Sequence, residues 1–244
     1  MAAADSPAPF PATRWTVVLR AGSPETGYLR RQAIEDICRA YWFPLYAFAR
    51  GRGASPEDAE DQTQSFFAAI LQSEFFSKAE SERGKLRTYL LTAFTRHLVN
   101  AHRDRTRLKR GGGQAVLSIE MDGAEERILP PAAGQSIERL YDKHWALAMV
   151  DTAMRALEHS CASRGKAAHF EALRPLLEGE EDDNTYQSAA AVLKLSITAA
   201  RMEVYRMRQK YRTELRRAIA DTLHDPSPED VEEELRELKR ALGE

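Results

Sequence analysis

"SPEDAEDQTQSFFAAIL", residues 55–71, begins like a helix cap and ends like a helix core. Ser55 is a good N-cap, Pro56 suits the first helical position, and Asp58 follows three residues after the cap. At about 100° per residue, Ala59, Thr63, Phe66, Phe67 and Ile70 share one face, the one that would be buried. Asp58, Asp61, Ser65 and Gln72 lie opposite, with Gln64 on the flank. An acid in the first turn complements the helix dipole, which accounts for Asp58. Asp61 lies beyond that turn, so the dipole does not account for it. A solvated face and a docking patch for a basic partner are both open at this point.

The next segment is "ERGKLRTYLLTAFTRHLVNAHRDRTRLKR", residues 82–110. From Arg83 onward its many Arg and Lys residues meet one acid, Asp104. Tyr89, Phe94, His97 and His102 interleave with the bases. Basic side chains displace counterions from phosphate, and aromatic rings stack on unpaired bases. A basic helix alone is a weak signal. A basic helix with interleaved aromatics, directly after an exposed acidic face, is a stronger one.

Further along, "NTYQSAAAVLKLSITAARMEVYRMRQKYRTELRRAI" (184–219) holds two helical patterns about a tight turn. Ser196 caps the second. On it Ile197, Ala200, Val204, Met207 and Tyr211 form the apolar stripe, and Thr198, Arg201, Tyr205, Arg208 and Arg212 form the outward one. This is the layout of a helix-turn-helix, whose second helix enters the major groove; an amphipathic bundle helix has the same periodicity. If Lys194 in the turn is left-handed, it stores strain of order 1 kcal/mol.

Outward from these segments the regular elements read as helices, with irregular stretches between them. Periodicity predicts helices over 13–21, 28–50, 56–72, 83–107, 137–160, 165–178, 185–193, 196–221 and 228–242. Pro44 should kink or break the second. "KRGGGQ" (109–114) reads as a hinge, "AVLSIEM" as a short extended piece, and "MDGAEERILPPAAGQ" (121–135) as a Gly/Pro/acid-rich linker. "EGEEDDN" (178–184) reads as a solvated acidic loop, with masking of the basic helix as the other use. "SPEDVEEELRELKRALGE" (227–244) has a capped start and an apolar stripe at Val231, Leu235, Leu238 and Leu242. It should pack on its own chain, or else let its acidic face cover a basic surface.

The expected fold is therefore all-α, with two helical domains joined by a long linker. The expected parts are a first domain at 13–108, a flexible linker at 109–136, a helix-turn-helix domain at 137–224 and an acidic amphipathic helix at 225–244. The chain has 244 residues, 43% hydrophobic and 30% charged, with a net charge of −2. The total charge gives no hint of a nucleic-acid partner; the distribution does. Cys38 and Cys161 lack CxxC spacing, which fits a reducing cytoplasm and argues against a disulfide scaffold or thiolate zinc site. The Ala/Pro-rich start does not read as a signal peptide, and no apolar run approaches the roughly 20 residues of a membrane span. The expected location is the cytoplasm.

"DAEDQTQSFFAAIL" followed by "GKLRTYLLTAFTRHLVNAHRDR" resembles domain 2 of bacterial RNA polymerase sigma factors of the extracytoplasmic-function (ECF) class, in the sigma-70 superfamily. "CRAYWFPLYAFARGRG" (38–53) resembles the helix before it, and "SITAARMEVYRMRQKYR" resembles the helix of domain 4 that binds the −35 element. The resemblance runs over nearly the whole chain and is closest to a branch with long linkers. It implies that Asp58, Asp61, Gln64 and Ser65 meet core RNA polymerase. It implies that Arg87, Tyr89, Arg96, Asn100 and Arg103 lie at or near the opened −10 strand. Ser196, Thr198, Arg201, Tyr205, Arg206, Arg208 and Lys210 would meet the −35 DNA, with Arg201 and Tyr205 influencing sequence choice and Arg206, Arg208 and Lys210 supplying phosphate affinity. The chain departs from the pattern at Ser65 (usually an acid), Gln62 (usually apolar), Tyr89 (usually Trp), Arg96 and Asn100 (usually Asn and Asp) and Lys194 (usually Gly).

The resemblance implies a promoter-specificity subunit that binds core polymerase, recognises −35 and −10 elements and promotes melting. The alternative is a stand-alone helix-turn-helix regulator that does not engage polymerase. No Walker A, GxGxxG, HExxH or paired Cys/His cluster stands in the sequence, so no enzyme, cofactor or metal is expected. Promoter DNA and core polymerase are the expected partners. An anti-sigma factor or a serine/threonine kinase is a candidate regulator, and Ser65 is the candidate phosphorylation site because the family's acid is missing there.

Overall fold

The computed structural model describes residues 24–72, 85–107, 124–128, 135–179 and 182–243. The helix expected at 13–21 and the extended piece expected near 115–121 lie outside them. Among the described residues the protein is all-helical. The helices are α1 (Pro24–Gly51), α2 (Pro56–Gln72), α3 (Leu86–Arg107), α4 (Ile137–Ser163), α5 (Ala167–Leu177), α6 (Asp183–Leu193), α7 (Ile197–Ala220) and α8 (Pro228–Leu242). None is long and apolar enough to cross a membrane.

The described residues fall into two compact units. One holds the chain up to Ala148 together with Ile219 onward; the other holds Met149–Ala218. In the first, α1 is the central element. Tyr41 to Ala49 is buried on every side, because the run "YWFPLYAFA" offers no polar face to water. The helix runs through Pro44 without a break. It ends in a Schellman motif: Gly53 N–H donates to Arg50 C=O at 2.9 Å and Ala54 N–H to Ala49 C=O at 3.2 Å. Gly53 has φ 92°, the left-handed geometry that this ending requires. Two residues on, Ser55 Oγ accepts from Asp58 N–H at 3.1 Å and starts α2.

The predicted face of α2 is the buried one. Ala59, Thr63, Phe66, Phe67 and Ile70 are all at most 2% exposed. Phe66 and Phe94 meet edge to face at 5.1 Å, and Phe94 tilts against Phe48 at 6.3 Å, so one aromatic cluster joins α1, α2 and α3. Truncating one of these rings to Ala would cost about 3–5 kcal/mol.

Of the expected linker, residues 124–128 and 135–136 are among those described. Residues 124–128 form a turn tied to α1: Arg50 grips Glu125 with Nε at 2.8 Å and Nη2 at 3.0 Å, Tyr46 donates its hydroxyl to the same carboxylate, and Arg127 lies over the Phe43 ring. Arg50 and then Tyr46 hold the Glu125 carboxyl below its ordinary range.

The second unit is built around Leu157, Cys161, Phe170, Leu173, Leu176, Ala189, Val204 and Met207. Its α6 starts earlier than periodicity predicts. Asp182 caps it by accepting from Thr185 N–H at 2.8 Å, and Asp183 is its first residue, so the end of the acidic run is helix start rather than free loop. Both cysteines are free and buried, and burial pushes the Cys38 thiol up to about 12.

Candidate functional site

On α2 the acids stand where the helical projection puts them. Asp61, Glu60 and Glu57 are exposed and Asp58 is half-buried. Gln64 is not idle: its Nε2 donates to Glu60 Oε1 at 2.9 Å. Ser65 is exposed, and its hydroxyl lies 2.9 Å from His97 Nε2 on α3. Burial lowers the His97 pKa, so the imidazole is neutral at pH 7. The α2 face thus presents carboxylates with one hydroxyl among them. Thr63 faces the other way, fully buried, and donates to Ala59 C=O at 2.7 Å.

On α3 the expected DNA-facing residues separate into two groups. Arg96 and Asn100 are exposed and Tyr89 is half-buried. At about 100° per residue these share one side of the helix. Arg103 continues α3, and its side chain lies outside the described residues. Arg87 falls on the opposite side and turns inward. Its Nε donates to Glu234 Oε1 at 2.6 Å and its Nη1 to Asp142 Oδ1 at 2.5 Å, and its guanidinium lies 4.6 Å from the centre of the Trp145 ring. Lys85 Nζ reaches the other oxygen of Glu234 at 2.6 Å. Glu234 itself is fully buried. Burial works against the Arg87 charge, but Glu234 and Asp142 outweigh it and hold the guanidinium above its ordinary value. Arg87 is therefore occupied within the first unit and is not brought together with the outward group.

The sequence reading missed Glu234, although a signal was present. Three residues after Val231 and one before Leu235, it sits inside the apolar stripe of α8, where an acid is expected to be buried and paired. Val231, Leu235 and Leu238 are buried as that stripe requires, and Ser227 and Asp230 form a capping box at its start.

In the second unit, α6 and α7 are joined by a turn at Lys194 and Leu195. Lys194 has φ 55° and ψ 43°, the left-handed state anticipated for it. Ser196 caps α7, its Oγ accepting from Ala199 N–H at 3.2 Å. Ala200, Val204 and Met207 are buried and Tyr211 is half-buried, but Ile197 is 43% exposed and stands outside the stripe assigned to it. At the first turn of the helix the core has not yet closed over the chain. Thr198, Tyr205, Arg206 and Lys210 are exposed. Arg201 is exposed as well, but its Nη2 donates to Asp183 Oδ1 at 3.0 Å and it lies over the Tyr186 ring. Arg206 pairs with Glu203 at 2.8 Å. Arg208 bends toward α5 and donates to Leu176 C=O at 2.7 Å. A capped helix pair with a two-residue turn and an outward basic flank can be inserted into a DNA groove.

An acidic helix face followed by a helix with exposed Arg96 and Asn100 and half-buried Tyr89 on one side is the geometry found in the first unit. Residues 37–108 match the family model for sigma-70 region 2. This shows likeness to sigma-70 region 2 over that segment of the chain. The region 2 match begins within α1, covers all of α2 and α3, and ends one residue past α3. It takes in the acidic face and every residue proposed for the −10 strand; the capped pair α6–α7 lies beyond it. No curated protein and no solved structure matches the chain.

Proposed function

We propose that this chain is a sigma factor of the ECF class: a promoter-specificity subunit, not an enzyme, that binds core RNA polymerase, recognises −10 and −35 elements and assists melting. The observation that carries the reading is the sigma-70 region 2 match over a segment whose exposed acidic helix face is followed by outward Arg96 and Asn100. In this reading Asp58, Asp61, Gln64 and Ser65 form the polymerase contact. Carboxylates on an exposed helix face steer and orient a basic partner surface. Tyr89, Arg96, Asn100 and Arg103 attend the opened −10 strand, where phosphate contacts and stacking suit an unpaired chain. Arg87 supports that helix from behind through Glu234 and Asp142. The α6–α7 pair reads the −35 element with α7 in the major groove, and Arg206 and Lys210 reach phosphates.

The experiment is co-purification with core polymerase followed by run-off transcription. A defined start site that depends on the added chain supports the reading. Duplex binding with no retention of polymerase and no transcript would instead make the chain a stand-alone DNA-binding regulator.

A further inference from the structure

The outward face of α7 is not simply basic. At about 100° per residue, Thr198, Met202, Tyr205 and Gln209 form its central band, nearly opposite the buried stripe of Ala200, Val204 and Met207. Met202 is 49% exposed and Tyr205 58% exposed. Charged side chains flank the band on both sides. Arg201 and Arg212 lie along one edge, and Arg206 and Lys210 along the other. Arg201 is moreover drawn back onto Asp183 and Tyr186, which leaves the centre of the face to neutral groups.

An unbranched thioether held half in water keeps apolar surface hydrated at a free-energy cost until something covers it. A strip one side chain wide, with bases on both edges, fits a groove between two phosphate rows better than it fits a broad apolar protein surface. On the floor of the major groove the apolar group on offer is the C5-methyl of thymine. We propose that Met202, with Thr198 and Tyr205 beside it, selects thymine through its methyl group, so that the second unit reads sequence partly by apolar contact while Arg206 and Lys210 hold the backbone. This rests on the reading of α6–α7 as a promoter-reading helix-turn-helix and adds a base class and a residue to it.

The test starts by selecting duplexes from a random pool with the full-length chain, alone and with core polymerase. Each thymine of the selected site is then replaced by deoxyuridine, which removes only the methyl. For the wild type, one or two such replacements should weaken binding about fourfold each, the equivalent of one methyl-sized group left in water. Met202→Ala should bind the thymine duplex about as weakly as the wild type binds the uracil duplex, and should be indifferent to the replacement. Val192→Ala, at the exposed end of α6, should keep the full methyl effect. Arg206→Ala should weaken all duplexes alike. Circular dichroism of each variant shows that α7 is intact, as expected for Ala at an exposed helical position. Wild-type binding that ignores every methyl overturns the inference and leaves the −35 reading standing. So does a Met202→Ala variant that retains the wild-type methyl effect. Loss of polymerase association by Met202→Ala with DNA binding unchanged makes the strip a protein contact and also overturns it. A chain that selects no sequence in either form overturns the −35 reading and the inference together.

Discussion

Arg87 Nε donates to Glu234 Oε1 at 2.6 Å and thereby joins the start of α3 to the middle of α8, 147 residues away in sequence. Lys85 holds the second oxygen of the same carboxylate. Removing the buried acid leaves two cations without their shared partner, one of them only 11% exposed. Glu234→Ala should therefore cost about 3 kcal/mol, the lower end for breaking a buried ion pair. Glu234→Gln keeps the shape and one acceptor and should cost less. Thermal unfolding of the full chain measures both. An unchanged midpoint for Glu234→Ala would mean that the network contributes nothing and that α8 is held by its apolar stripe alone.

The parts of the fold differ in how legible they are in the sequence. The α2 face followed from residue spacing, since Ala59, Thr63, Phe66, Phe67 and Ile70 are separated by three, four and one residues and all of them are buried. Caps at Ser55, Ser196 and Ser227 were likewise local signals. Arg87 was misleading because it shares a basic stretch with residues that point outward, and no local pattern announces an acid arriving from residue 234. Long-range pairing is set by tertiary packing, which sequence periodicity does not encode. The same holds for Arg201 and Arg208, whose partners, Asp183 and Leu176, sit on the neighbouring helices α6 and α5.

Asp61 is exposed at the centre of the α2 acidic face. Asp61→Lys should leave helicity intact and sharply reduce retention by core polymerase, because the reversal puts like charge against a basic partner. The loss should shrink as salt rises, since exposed charges are screened within about 8 Å at physiological ionic strength. A pull-down at moderate salt with unchanged retention would take Asp61 out of the interface.

Tyr89 is half-buried on the same side of α3 as Arg96 and Asn100. A ring able to stack on a freed base contributes roughly 1–3 kcal/mol. Tyr89→Ala should thus impair bubble formation more than binding of closed duplex. Permanganate reactivity of bubble thymines reads the first, and gel retention at low temperature reads the second. Equal reactivity in mutant and wild type would make Tyr89 a packing residue.

His144 is fully buried and meets the edge of Phe43 at a ring distance of 5.0 Å. Burial, with Lys143 and Arg127 nearby, lowers its pKa to about 4. In the unfolded chain an imidazole titrates near 6.5. The folded state therefore prefers the neutral ring, and its contribution is complete above pH 6.5 and lost as the pH falls toward 4. By pH 5 the loss should be about 2 kcal/mol. Urea unfolding at pH 7.5 and pH 5 should show it in the wild type and not in His144→Leu. Parallel losses in both proteins would assign the acid sensitivity to other groups.

Ser65 stands beside Asp61 on the exposed face, with its hydroxyl 2.9 Å from His97 Nε2. The acids already encoded there leave Ser65→Ala expected to support the same transcription as wild type. A carboxylate or phosphate at this position would extend the patch and face an imidazole that burial keeps neutral. The new negative charge would draw a proton onto His97, and this would offset part of the added charge within the protein itself. The gain in polymerase binding from Ser65→Glu should therefore be larger near pH 8.5, where His97 remains neutral, than near pH 6.5. Thr63 offers no such site, since it is fully buried and bonded to Ala59 C=O, and a phosphate there would have to be desolvated. Run-off transcription with wild type, Ser65→Ala and Ser65→Glu, each made without a kinase, decides between a tuning position and a switch. Equal output from all three means that the acids of α2 suffice as encoded. Output from the Glu form alone means that the docking face is incomplete until Ser65 is charged.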